Sequence, residues 1–108
     1  MATLTTQTAA LAGLSVSYAS AAAGGDQCAT GQGLVLLVDN GDASSHTVTL
    51  ATPGTVDGLA IADRAVTVPA GATAVIPLND IYRDPATGRA SLTYDGVTSV
   101  KVAVVRVP

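Results

Sequence analysis

Residues 33–52, GLVLLVDNGDASSHTVTLAT, constrain the fold more than any other stretch. Leu34, Val35, Leu36, Leu37 and Val38 form an unbroken apolar run closed by Asp39, Asn40 and Gly41. That is the pattern of a strand buried on both faces. Beyond a polar loop, Thr47, Val48, Thr49 and Leu50 alternate as a strand with one wet face does. The simplest assembly of the two is an antiparallel pair at the centre of a β-sandwich. Composition points the same way. Glu is absent, Lys101 is the one lysine, and Val and Thr abound, so propensity favours strands over helices. With no Phe and no Trp, the core must be built from Val, Leu, Ile, Ala and Tyr.

A chain of 108 residues has the length of one domain. Charged residues make up 12% of it, about half the usual share. Sheets guard their exposed edges with charge, lysine above all, so a sandwich this poor in charge must hide its edges or have a partner cover them. The net charge of −3 argues against nucleic acid, which calls for clustered Lys and Arg. The charge is uneven: residues 1–62 hold four aspartates and no basic residue, whereas 63–108 hold four aspartates against five basic residues. No secretory leader pattern follows Met1, and no stretch approaches the ~20 apolar residues of a membrane span, so the expectation is a product made in the cytoplasm, with no membrane partner. Cys28 is alone, which leaves no disulfide framework within the chain and favours a small, partly buried residue.

In chain order, residues 1–13 read as an extended N-terminal arm and 14–108 as the sandwich domain. The arm is expected to become a strand at Leu14, Val16 and Tyr18. Residues 21–33 are a glycine-rich loop without the Lys-Ser/Thr or the G-x-G-x-x-G spacing of a phosphate site. The DNGDASS loop lacks the acidic alternation and closing Glu of a calcium loop, so no metal site is assigned. His46 beside Ser44 and Ser45 has no nucleophile elbow and is expected at a loop edge or on the surface. With one His, no Glu and scattered Asp, the chain offers no acid–base pair; no catalytic residue or cofactor is assigned, and the chain reads as a non-enzyme. Arg64–Val68, the Pro69-Ala70-Gly71 turn and residues 72–78 read as a hairpin. In residues 79–89, NDIYRDPATGR, Ile81 and Tyr82 are apolar within a polar loop, and Asp84 to Gly88 form a turn closing on glycine. The final strand, 99–107, breaks parity at Val105 and Val107, so either a bulge resets it or its end is covered on both faces.

The order of these pieces resembles a family of small virion proteins of tailed phages, especially phages of actinobacteria: head decoration, or minor capsid, proteins. The resemblance is carried by Val38-Asp39-Asn40-Gly41, the run from Val48 through Pro53-Gly54 to Ala60, Val66-Thr67-Val68-Pro69-Ala70-Gly71, Asp84-Pro85-Ala86-Thr87-Gly88 and Thr98-Ser99-Val100. It spans roughly residues 8–107. It implies an all-β, single-domain antiparallel β-sandwich, immunoglobulin-like or jelly-roll-like, on the exterior of an icosahedral head. It also implies the major capsid protein as partner, together with further copies of the chain in trimers or clusters around three-fold positions.

Leu4 and Leu11 on the arm, with Ile81, Tyr82 and Arg83 in the 79–89 loop, are the expected partner-binding residues. Tyr and Arg are enriched at interface hot spots. Two other readings compete: a head–tail connector or tail component, and a cellular immunoglobulin-like or carbohydrate-binding module.

Overall fold

A computed structural model describes residues 2–10, 12–53, 55–60 and 62–107; Leu11 and Gly54, which figured in the reading above, lie outside them. The first strands are β1 (Ala2–Thr3), β2 (Thr6–Thr8), β3 (Ala19–Ser20), β4 (Asp26–Cys28), β5 (Leu34–Asn40) and β6 (His46–Leu50). Next come β7 (Thr55–Val56), β8 (Leu59–Ala60), β9 (Arg64–Val68) and β10 (Thr73–Pro77). A 3-10 turn at Asp80–Tyr82 leads into β11 (Arg83–Asp84), β12 (Arg89–Tyr94) and β13 (Val100–Arg106).

Two sheets pack face to face as a β-sandwich. The first has the order β1-β4-β12-β6-β9, with β11 also on β12; the second has the order β10-β5-β13-β2, with β3 also on β13. β7 and β8 pair only with each other. Between the sheets lie Leu36, Val38, Val48, Leu50, Val68, Leu78, Leu92, Val102 and Val104, all fully buried. Period-2 alternation places them there: the even-numbered residues of β5, β6, β9, β12 and β13 share the inner faces.

The alternation is as expected, but the pairing is not. β5 and β6 are not partners: β5 belongs to the second sheet and β6 to the first. β9 and β10 likewise form no hairpin, since β9 pairs with β6 and β10 with β5. Both connections cross between the sheets, and one buried side chain explains why. Asn40 Nδ2 donates to the carbonyls of Ser44 (2.9 Å) and Val68 (3.0 Å), while its Oδ1 accepts from Asp42 N (3.1 Å). Its main chain accepts from Gly71 N (2.8 Å) and donates to Ala72 O (2.9 Å). Asn40 thus satisfies polar groups of both corners at once, in a place where leaving them unpaired would be costly. Gly71, at φ +72°, supplies the left-handed residue that lets the Pro69-Ala70-Gly71 turn change sheets.

Three further expectations are refined. Strand β5 is buried on its inner face only; outward-facing Val35 and Leu37 are half-buried. Residues 14–18 carry no ladder, and Leu14 and Tyr18 are 37% and 39% exposed. β2 and β3 take the free edge of β13 in succession, so the chain between them has no partner strand, and the Gln7 amide clasps the Ser17 main chain instead (2.7 and 2.9 Å). The β13 register against β5 runs unbroken from Val100↔Asn40 to Arg106↔Leu34, so no bulge occurs. Ala103 and Val105 are buried on the outer side, which leaves coverage on both faces as the explanation.

The N-terminal residues join both sheets. β1 runs parallel to β4 in the first and β2 parallel to β13 in the second. Leu4 lies at the crossing, its N–H donating to Gln27 O (2.7 Å) and its side chain in the core at 9% exposure.

Candidate functional site

Each sheet ends in an edge strand on the same open side, β9 in the first sheet and β10 in the second. β10 reads TAVIP and carries no charged residue. Pro77 lacks an N–H and closes one end of the edge to further pairing, but Thr73 to Ile76 have no such guard. Ala74 and Ile76 face the core, so Val75 and Pro77 face outward, with Val75 61% exposed. A groove of about 320 Å³ runs between the two edges, lined by Arg64 and Val66 of β9, by Val75 and Pro77 of β10, and by Asn79 and Tyr82.

The outer face of the second sheet continues this apolar surface. Register places Val75 beside Leu37 and Leu37 beside Ala103, and it places Pro77 beside Val35 and Val35 beside Val105. Exposure rises across these rows, from buried Ala103 and Val105 through half-buried Val35 and Leu37 to exposed Val75 and Pro77. A charged row, Asp39 beside Lys101, bounds the patch at one end.

The residues expected to bind a partner are distributed unequally around this edge. Tyr82 is half-buried in the groove wall, and Ile81 beside it is 50% exposed. Arg83 is exposed in β11, with its guanidinium near Gly88. Leu4 is turned into the core and presents no side chain to a partner in this fold; its isolation among threonines resembles an anchor, yet it fills the gap between the sheets. Leu11 is outside the described residues. Sequence reasoning missed Val75, Pro77 and Arg64. The signal was present for two of them, since Val75 and Pro77 alternate with Ala74, Ile76 and Leu78 and so fall on the opposite parity of the same strand.

At the far end of the sandwich, His46 bridges two carboxylates. Nε2 lies 2.8 Å from Asp42 Oδ2 and Nδ1 lies 3.1 Å from Asp95 Oδ1, with the side chain only 12% exposed. The ring sits against Gly96, where a Cβ would stand 3.0 Å from Cε1. Donating to both carboxylates requires the imidazolium. Hydrogen bonds to Asp42 and then Asp95 accordingly raise the His46 pKa above its ordinary 6.5. Asp42 is lowered, chiefly by His46; Asp95 is lowered by the Thr47 main chain first and His46 second. The arrangement is a latch between two loops. Ser44 and Ser45 are exposed and neither hydrogen-bonds the ring. Cys28 is fully buried, and burial, followed by the nearby Asp26 charge, pushes its thiol up to about 12. Such a thiol is inert at neutral pH.

Among the described residues no group of three or more His, Cys, Asp or Glu is placed to hold a metal, and no helix is long and apolar enough to cross a membrane. Compared with known protein families, curated proteins and solved structures, the chain matches none.

Proposed function

We propose that this chain is a head decoration protein of a tailed phage, one that binds the outer surface of the capsid and bridges major capsid protein subunits of the expanded shell. The observation that carries the reading is the uncharged β10 edge, with Val75 and Ile81 exposed beside the groove that holds Tyr82. An unguarded edge next to apolar side chains is a surface that needs covering. The resemblance of its turn motifs to those of decoration proteins supports a capsid surface as that cover. In this reading Tyr82 and Arg83 act as anchors and Val75, Pro77 and Ile81 as the dry centre of the contact. Each copy contributes modestly; repetition over the lattice supplies the avidity, and affinity for the expanded shell alone stabilises that state by mass action.

Quantitative mass spectrometry of purified virions tests the proposal. A copy number comparable with that of the major capsid protein is expected. A number fixed at a few per particle assigns the chain to the connector or tail, and absence from particles overturns the virion role.

A further inference from the structure

β2 and β3 do not cover the whole free edge of β13. β3 pairs with Lys101 and Val102 and β2 with Val104 to Arg106, which leaves the edge open at Ala103. A cleft of about 390 Å³ opens there between the N-terminal strands and the body, within the size range of small-ligand sites. It is lined by Thr3, Thr5, Ser17, Ser20 and Tyr18, and among the described residues its one charged lining residue is Asp26.

Asp26 is 1% exposed. Its hydrogen bonds, from Tyr94 Oη (2.7 Å) and Ala22 N (3.2 Å), both end on Oδ2. Among the described residues no side-chain or main-chain donor reaches Oδ1, and no basic group lies within ion-pair distance of the carboxylate. A buried carboxylate without a counter-charge is expensive to maintain. Residues 1–62 hold no Lys or Arg side chain.

We propose that this cleft binds a primary alkylammonium group, with its charge set against Asp26 and its methylenes against the exposed Tyr18 ring. Carboxylate and aromatic face together are the usual recognition set for such a cation. Among the described lining residues an anion would meet no positive side chain, and a neutral sugar would bring no counter-charge to Asp26. A free amine and a lysine side chain of a protein partner share the required chemistry. The site lies at the opposite edge of the second sheet from β10 and does not depend on the capsid-docking role.

The test is an amide-resonance titration of the isotope-labelled full chain with n-butylamine hydrochloride, at about neutral pH where the amine is charged. Butanol, glucose and a capped Gly-Lys-Gly peptide are run in parallel. Saturable shifts at Tyr18, Asp26 and Ala103 are expected with both ammonium probes and with neither neutral one. Asp26→Asn should weaken binding about tenfold or more. Tyr18→Ala, at an exposed position, should weaken it less, and it keeps the test decisive if the asparagine variant fails to fold. Tighter binding of the peptide than of the amine assigns the cleft to a partner's lysine; the reverse assigns it to a free amine. An equal response to butanol, an affinity unchanged by both substitutions, or no saturable response to either ammonium probe overturns the proposal.

Discussion

The two outer faces of the sandwich use the same strand grammar and finish differently. On the first sheet the outward residues are Thr47, Thr49, Thr67, Ser91 and Thr93, with Ala65 among them. Thr67 and Thr47 lie opposite each other with their hydroxyls 3.2 Å apart. On the second sheet, past the bounding Asp39–Lys101 row, the outward rows are Val75–Leu37–Ala103 and Pro77–Val35–Val105. Threonine is close to valine in shape and shares its preference for strands. The first face therefore stays compatible with water mainly by exchanging methyls for hydroxyls, with Arg89 at the start of β12 as a charged outward residue. The second face makes no such exchange. What the contrast teaches is that low charge is not the same as readiness to be covered; only one side of this molecule is left apolar.

The comparison breaks most severely if the two sheets come apart. Asn40→Ala removes the side chain that holds both inter-sheet corners and leaves buried carbonyls without donors. A loss of about 2–4 kcal/mol in unfolding free energy is expected, read from the urea midpoint. A midpoint within error of the parent would mean that the corners hold without it.

The faces can also be exchanged. Converting Leu37 and Val75 to Thr gives the second face the character of the first. Stability should fall by no more than about 1–2 kcal/mol, because both side chains are only partly buried or exposed. Co-sedimentation with expanded capsids should weaken by about tenfold or more. The reciprocal change, Thr49→Val with Thr93→Val, should leave co-sedimentation unchanged. Equal losses from both pairs would mean that the β10 side is not the docking side.

The smallest expected effect sharpens the contrast between the two ends. The folded state raises the His46 pKa above 6.5 and lowers those of Asp42 and Asp95 below 3.8. The latch is thus fully stabilising between those values. It weakens as pH rises through the folded histidine pKa, and again as pH falls through the folded carboxylate pKa values. Thermal midpoints should decline from pH 6.5 upward in the parent and be flatter over that range in His46→Gln. A histidine resonance titrating at or below 6.5 would show that the carboxylates do not hold the proton.

Much of the fold was legible because side-chain parity is a local property. Val48, Leu50, Val68, Ile76 and Leu92 could be assigned to the inner faces from their neighbours alone. Pairing could not, because it turns on contacts between distant residues. Pro69-Ala70-Gly71 has the chemistry of a hairpin turn and that of a sheet-changing corner alike; what decides is the Asn40 side chain, 28 residues before Val68. The candidate site was half legible for the same reason. Ile81 and Tyr82 stood out as apolar residues in a polar loop, whereas Val75 and Pro77 gain significance only once β10 is known to be an edge. Asp26 gave no signal in its glycine-rich surroundings, since its isolation from positive charge is a property of three-dimensional space.

The position of β13 bears on how the molecule is made. It follows every other described strand in the chain, yet it lies between β5 and the N-terminal strands β2 and β3. Until β13 is synthesised, β5 has only β10 beside it, β2 and β3 have nothing to add to, and the second sheet cannot close. Contacts that span nearly the whole sequence must then form together, the condition under which β-proteins fold over milliseconds to seconds rather than microseconds. A nascent chain of this kind displays its apolar strands to the cell before it can bury them, and its yield is governed by the interval between synthesis and closure.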